Sequence, residues 1–195
     1  MVKDTTTFER DKTTWQHSAL VARAAAKIAR FLPELNAETA FQCGLFHDVG
    51  KLYLPREDFY KHPFLGYTLM RDANEPLLAE VCLLHSFPLS LASGAYFSHY
   101  CRGDAAEVAR VKAAMETLNL SPAMQDYVAL IQLCDKISGV TEYVTLEGKA
   151  AWYKARHKLD EESLRKNIDA LQNIKKRLER RIQKNIYALL GLPKD

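Results

Sequence analysis

The stretch Phe46-His47-Asp48-Val49-Gly50-Lys51 places an imidazole and a carboxylate side by side at the end of a predicted helix. Adjacent helical residues project about 100° apart, so His47 and Asp48 can share one ion only from its sides. Gly50 is expected to close the helix as a C-terminal glycine and to let the backbone adjust there. Imidazole and carboxylate together suit a divalent ion with open coordination positions. The stretch therefore predicts a metal-binding corner.

Three further ionisable residues lie on apolar helix faces. His17 lies on the core stripe of the first predicted helix, His85 ends an apolar run, and Asp135 lies inside another. Buried charge is costly unless it is paired, hydrogen-bonded or metal-bound, so each needs a partner. Taken singly, each reads as a hydrogen-bonded core residue. Together with His47 and Asp48, they indicate a ligand set without thiolate.

Helical periodicity covers every long segment, and no alternating strand pattern is found. The sequence therefore predicts an all-α fold that ends in a long amphipathic helix. The first predicted helix begins near residue 13 or 14 and ends at about 31. The third begins at residue 62. The other predicted helices cover about 36–50, 75–84, 104–119, 122–139 and 160–190. Residues 86–102 are expected to form a loop with a short helix.

These motifs resemble the HD-domain superfamily of metal-dependent phosphohydrolases. Its signature is an early helical His, an adjacent His-Asp pair and a late helical Asp, matched here by His17, His47, Asp48 and Asp135. The resemblance includes the H-D-x-G-K pattern at residues 47–51 and covers roughly residues 14–140. It implies an HD-domain helical bundle over 1–146. Residues 147–195 would form a helical extension, either packed on that domain or making a homodimer contact.

His62-Pro63-Phe64-Leu65-Gly66 resembles the H-P-x-x-G element of superfamily members with two metals, and His85 stands where those members carry another His. In those relatives the Asp of the pair bridges the two ions. The resemblance then implies six metal ligands: His17, His47, Asp48, His62, His85 and Asp135. Alternatively, His62 caps a helix and His85 packs in the core, which would leave one metal.

The resemblance implies a phosphohydrolase that cleaves a phosphate ester or anhydride, with a nucleotide or dinucleotide as the expected substrate. Catalytic roles fall to Asp48, which would orient the nucleophile, and to Lys51, which would meet a phosphate oxygen or else remain solvated. Iron or manganese is expected, and nickel, cobalt, zinc or magnesium would also suit. The closer likeness is to small bacterial HD hydrolases acting on dinucleoside polyphosphates or nucleotides.

Two alternatives remain open. One is a cyclic-dinucleotide phosphodiesterase, although the Gly-Tyr-Pro element and the His-His-Glu run of that subgroup are absent. The other is a regulatory HD fold without catalysis, which would be expected to have lost ligands. Arg56, Lys61 and Arg102 are further phosphate-binding candidates, and the aromatic residues Tyr96, Phe97, His99 and Tyr100 could line a base pocket or belong to the core.

Composition bounds the remaining classes of function. The 195 residues are 48% hydrophobic and 26% charged, as in a globular chain. No apolar run approaches the roughly 20 residues of a membrane helix, and no signal peptide is recognised, so a cytoplasmic protein without a membrane partner is expected. The four cysteines are scattered singly and are expected to be reduced thiols.

The net charge of +3 lies in the last 36 residues, where Lys and Arg number 9 against 6 Asp and Glu. Residues 1–159 hold 18 of each sign. Because residues 1–159 carry no net charge, a broad nucleic-acid-binding surface is not expected there. Any nucleic-acid-binding site would lie in the C-terminal segment. A small phosphorylated substrate is the expected partner.

Overall fold

The structure is a computed structural model that describes residues 5–86, 120–156 and 161–193, with residues 105, 106, 109 and 113 between them. Its described helices confirm the all-α prediction. They are α1 (Thr5–Ala29), α2 (Ala37–Phe46), α3 (His62–Asp72), α4 (Pro76–Leu84), α5 (Pro122–Lys136), α6 (Leu146–Arg156), α7 (Glu161–Ile182) and α8 (Ile186–Leu190), with 3-10 helices at Val49–Tyr53 and Arg56–Lys61. The predicted loop from residue 87 and most of the predicted helix 104–119 lie outside the described residues.

Helix α5 carries the centre of the core. Ser121 caps it by accepting a hydrogen bond from the Met124 N–H, as Ser does at an N-cap. Every residue from Tyr127 to Asp135 is buried. A helix that is buried on all sides has neighbours all round, and α1, α2, α4 and α7 pack against it. Its C-terminal end, with Asp135, is thereby held inside the protein.

Helices α1 and α2 approach each other closely through small residues. A Cβ added to Gly44 would lie 2.6 Å from the Cα of Ala22, so only glycine allows this backbone separation. Asn36 caps α2 by accepting a hydrogen bond from the Thr39 N–H, which confirms the predicted start. Helix α1 begins eight residues before Thr13, since no Gly or Pro interrupts the preceding segment.

The predicted end of α2 is wrong. The helix ends at Phe46, and Gly50 lies inside the following 3-10 helix with no left-handed backbone. The glycine has a different role, because a Cβ there would overlap the His62 carbonyl oxygen and lie 2.9 Å from the Gly66 N. Gly50 thus allows the His-Asp segment to lie directly on the first turns of α3.

The single C-terminal helix predicted over 160–190 is two helices. Gln183 adopts a left-handed backbone with φ of 52°, which ends α7. Asn185 then caps α8 by accepting a hydrogen bond from the Ala188 N–H. Leu171, Leu178 and residues 186–187 join the same hydrophobic core as α1 and α5. The boundary near residue 146 and a dimer contact through this segment stay predictions.

None of the described helices combines the length and the hydropathy that a membrane crossing requires. Cys43, Cys82 and Cys134 are buried free thiols, and burial raises the pKa of Cys43 to about 12. These three cysteines are therefore protonated core residues rather than metal ligands. Helix α6 was not predicted from the sequence.

Candidate metal centre

Five described elements bring the six predicted ligand residues to one place. His17 comes from α1, His47 and Asp48 from the end of α2, His62 from the first position of α3, His85 from the position after α4, and Asp135 from the last turn of α5. All are buried except His17, whose side chain is 15% exposed. The structure therefore places every predicted ligand residue in one cluster.

The four imidazoles are oriented in the same way. Each Nδ1 lies within hydrogen-bond distance of a backbone carbonyl oxygen: His17 to Gly139, His47 to Gly44, His62 to Phe59 and His85 to Cys82. A carbonyl oxygen can only accept, so Nδ1 must donate in each case. In the neutral ring the Nε2 then presents a lone pair, which is the arrangement found in metal-ligating histidines.

One group of ligand atoms gathers around the Oδ2 of Asp48. This oxygen lies 3.5 Å from the Nε2 of His47 and 3.9 Å from the Nε2 of His17. The Oδ1 of Asp135 lies 3.0 Å from the Nε2 of His17 and 3.8 Å from that of His47. His17, His47 and Asp48 thus offer three ligand atoms close enough together to hold one ion, and Asp135 lies beside both imidazoles.

A second group gathers around the other oxygen of the same carboxylate. The Oδ1 of Asp48 lies 3.1 Å from the Nε2 of His62 and 3.4 Å from the Nε2 of His85. These two nitrogens are 3.0 Å apart. Two ligands at right angles, each about 2.1 Å from an ion, are separated by about this distance. Two facing lone pairs repel each other, and a cation between them would remove that repulsion.

Two buried atoms of the cluster have no hydrogen-bond partner among the described residues: Nε2 of His47 and Oδ1 of Asp48. Leaving a buried acceptor unsatisfied costs roughly 1–3 kcal/mol. Both atoms belong to the ligand groups just described. The orphaned acceptors, together with the mixed imidazole and carboxylate donors, fit a divalent cation.

Both carboxylates are ionised. Burial favours the protonated form of Asp48, but Lys51 and the neighbouring imidazoles outweigh it and hold the pKa of this carboxyl well below its usual range. For Asp135, burial is likewise outweighed, mainly by Lys136 and by the neighbouring His17 and His47, and the pKa is again low. Lys51 and Lys136 each contact the Oδ2 of the carboxylate beside them.

The imidazoles differ in charge state. Burial lowers the pKa of His85 to about 3, and burial with the Lys51 charge lowers the pKa of His62, so both rings are neutral at neutral pH. For His47, burial is outweighed by Asp48 and Asp135, and the pKa is raised. The His62 and His85 pair thus presents two unprotonated nitrogens.

The structure also shows residues that sequence reasoning missed. The Ser86 hydroxyl is buried and lies 2.9 Å from the Nε2 of His85. Gln132 holds the end of α4 by donating to the Leu84 carbonyl oxygen at 2.8 Å. Neither residue carries a signal in a single sequence, because Ser and Gln near a helix end are common.

The helix-cap alternative for His62 and the predicted phosphate-binding and base-pocket residues remain to be placed. His62 is the C-cap of the 3-10 helix Arg56–Lys61, and its backbone N–H and Nδ1 both lie within hydrogen-bond distance of the Phe59 carbonyl oxygen. Lys61 pairs with Asp58 at 3.1 Å, and no described contact brings Arg56 to the centre. The remaining phosphate-binding and base-pocket candidates lie outside the described residues: Arg102, Tyr96, Phe97, His99 and Tyr100.

Comparison with known proteins gives the same family. The family model named HD domain matches residues 14–140, which contain all six ligand residues. No solved structure matches the chain. Members of this family are metal-dependent phosphohydrolases that bind divalent metals. The match spans more than half of the sequence, and the chain therefore belongs to the HD domain family.

Proposed function

We propose that the protein is a two-metal phosphohydrolase of the cytoplasm that cleaves a phosphate ester or anhydride of a nucleotide or dinucleotide. The position of Asp48 carries this proposal. Its Oδ1 faces His62 and His85 at 3.1 and 3.4 Å, and its Oδ2 faces His47 and His17 at 3.5 and 3.9 Å. A carboxylate that offers one oxygen to each of two imidazole groups is suited to bridge two ions.

The distances are compatible with two ligand sets. One ion would be held by His17, His47, Asp48 and Asp135, and the other by His62, His85 and Asp48. His47, His85 and Asp135 also lie close enough together to hold an ion, so the two sets adjoin each other. Iron or manganese is proposed first, because imidazole and carboxylate suit both; nickel, cobalt, zinc and magnesium remain alternatives. Bound divalent ions supply Lewis-acid activation of water and of phosphate oxygens.

The chain's own residues supply charge and orientation. Asp48 and Asp135 remain ionised and balance positive charge in a buried site. Asp48 would also orient the attacking group. Lys51 contacts Asp48 and is 25% exposed, so its flexible arm can reach a phosphate oxygen from the solvent side as a point charge. Burial of the cluster excludes bulk water and strengthens these interactions.

The alternatives receive less support. The run Leu84-His85-Ser86 lacks the His-His-Glu pattern of the cyclic-dinucleotide phosphodiesterases. A regulatory HD fold without catalysis would not need all six ligand residues, nor two buried acceptors left without a described partner. Neither alternative has an observation that favours it over hydrolysis.

A substrate panel tests the proposal. Purified protein loaded with manganese or iron is incubated with nucleoside phosphates, dinucleoside polyphosphates and cyclic dinucleotides, and the products are quantified. We expect hydrolysis of at least one non-cyclic nucleotide, abolished by chelation and by Asp48→Asn. The matched control is Asp58→Asn, a carboxylate outside the cluster that pairs with Lys61. Hydrolysis by Asp48→Asn at the wild-type rate, or no hydrolysis of any substrate, would contradict the proposal.

A further inference from the structure

A shallow, largely open pocket of about 460 Å³ lies at the corner between α7 and α8. Six residues line it: Lys176, Glu179, Arg180, Gln183, Lys184 and Asn185. Arg181 fixes this corner to the start of α5 through Asp126, at 2.7 and 2.9 Å, and also contacts Glu34 beyond α1. Asp126 precedes Asp135 by nine residues, about 13 Å along a helix, so the pocket is separate from the metal centre.

The pocket carries uncompensated positive charge. In the part of the chain that the structure describes, no carboxylate lies within ion-pair distance of Lys176, Arg180 or Lys184. The one acidic lining residue, Glu179, is engaged elsewhere: its Oε1 accepts from the Ile186 N–H at 2.7 Å and lies 3.1 Å from the Nζ of Lys175. Clustered cations without a carboxylate partner favour an anionic ligand.

The backbone of the corner is well fixed. Gln183 holds a left-handed conformation that residues other than glycine rarely adopt. Asn185 caps α8, and the Glu179 carboxylate ties the end of α7 to the first residue of α8. The three cations are solvent-exposed and project from one fixed corner of the backbone.

An exposed aromatic ring lies at the edge of this pocket. The Nζ of Lys184 is 5.0 Å from the centre of the Phe31 ring, and Phe31 is 38% exposed. Basic side chains beside an exposed aromatic ring are typical of sites that bind nucleotides or single strands, where the ring stacks on a base. Lys176 and Arg180 are one turn apart, about 6 Å along the axis, so their side chains lie on the same face of α7.

We infer that this pocket is a second binding site, which takes the phosphate chain of a nucleotide ligand on Lys176, Arg180 and Lys184 and its base on Phe31. A nucleoside triphosphate and a short single-stranded oligonucleotide both offer several phosphates and a base. The site is independent of the proposed hydrolysis, because it shares no residue with the metal centre.

Calorimetric titration with ATP and with a single-stranded oligothymidylate tests the inference. EDTA is present, so that divalent ions do not hold the ligands at the metal centre. The test variant is Lys176→Gln/Arg180→Gln. The control is Arg165→Gln/Lys166→Gln, which removes the same charge from the same helix outside the pocket, at side chains that are 67% and 55% exposed.

We expect the pocket variant to bind about tenfold more weakly and the control to bind as the wild type does. For the oligonucleotide, the slope of log K against log salt should fall by about 1.4, since each lost contact to a single strand contributes roughly 0.7. Binding of ATP alone would identify a nucleotide site, and binding of the oligonucleotide alone a strand site. Phe31→Leu should weaken ATP binding and leave inorganic tripolyphosphate binding unchanged.

Two results would overturn the inference. One is that neither ligand binds the wild type. The other is that the pocket and control variants lose affinity equally, which would assign the binding to diffuse charge. An unchanged ATP affinity in Phe31→Leu would overturn the assignment of the base to this ring.

Discussion

Buried polar residues concentrate where α1 to α5 meet. Asp48 and Asp135 are 2% and 7% exposed, and three of the four clustered histidines are almost fully buried. Each imidazole is fixed through Nδ1, so the Nε2 positions are set by backbone carbonyls rather than by solvent. Such pre-orientation lowers the cost of arranging ligands when an ion binds.

Asp135→Asn should abolish hydrolysis while leaving the fold intact. The amide weakens a metal ligand, and we expect a loss of at least about 100-fold in turnover. Removing the charge relieves desolvation but also loses the interactions with Lys136 and the imidazoles that hold this pKa low, so the free energy of unfolding should fall while the fold is kept. Turnover, circular dichroism and urea unfolding measure both effects, with the exposed Asp169→Asn as control. An unfolded variant whose surviving fraction keeps wild-type turnover would count against the assignment.

Gly50→Ala should destabilise the protein and reduce its metal content. The added Cβ would overlap the His62 carbonyl oxygen, and forcing the two segments apart costs roughly 1–3 kcal/mol. The same shift would move Asp48 relative to His62. Gly148→Ala is the control, because the nearest atom to its added Cβ is the Thr145 hydroxyl at 3.5 Å. A wild-type urea midpoint and metal content in Gly50→Ala would refute this role.

At the scale of helices, the sequence predicted the starts that a capping residue or a proline marks, but it placed the start of α1 eight residues too late. Asn36 and the His62-Pro63 pair marked starts correctly, since capping and proline preferences are local. Gly50 was misread as a helix terminator because its reason is a tertiary approach to α3. The break at Gln183 carried no glycine signal, because the Glu179 and Asn185 hydrogen bonds support it instead.

Gln183→Gly should stabilise the protein by roughly 0.5–1 kcal/mol. A residue with a Cβ is strained in the left-handed backbone that Gln183 adopts, and glycine is not. The unfolding free energy in urea measures the gain. Gln172→Gly, inside α7, should instead lose about 1 kcal/mol, because glycine weakens a helix interior. A loss of stability in Gln183→Gly would show that the side chain, not the backbone, matters at this corner.

At the scale of the whole molecule, the metal centre depends on contacts between residues far apart in sequence. The contacts of His17 with Asp135 and with Gly139 span 118 and 122 positions. The order of the motifs along the sequence was enough to select the six candidate metal ligands, because their types and spacing resemble a family signature. The motifs could not show that the two oxygens of Asp48 face different imidazole groups, since this depends on how α1, α3 and α4 pack around α2.

Metal content is the measurement that tests the two-metal account most directly. Wild-type protein and the His62→Ala/His85→Ala variant are loaded identically with manganese or iron, and bound metal per folded chain is determined by elemental analysis. His17→Ala serves as the matched variant of the other ligand set. Circular dichroism confirms that each sample is folded, since two buried truncations cost on the order of 1–3 kcal/mol by themselves.

We expect about two ions per wild-type chain and about one in the double variant. Turnover should be sharply lower in the double variant, because only one ion would remain to stabilise the attacking and leaving oxygens. His17→Ala should lose the other ion and keep the one held by His62 and His85. An unchanged metal content in the folded double variant, with near-normal turnover, would contradict the account.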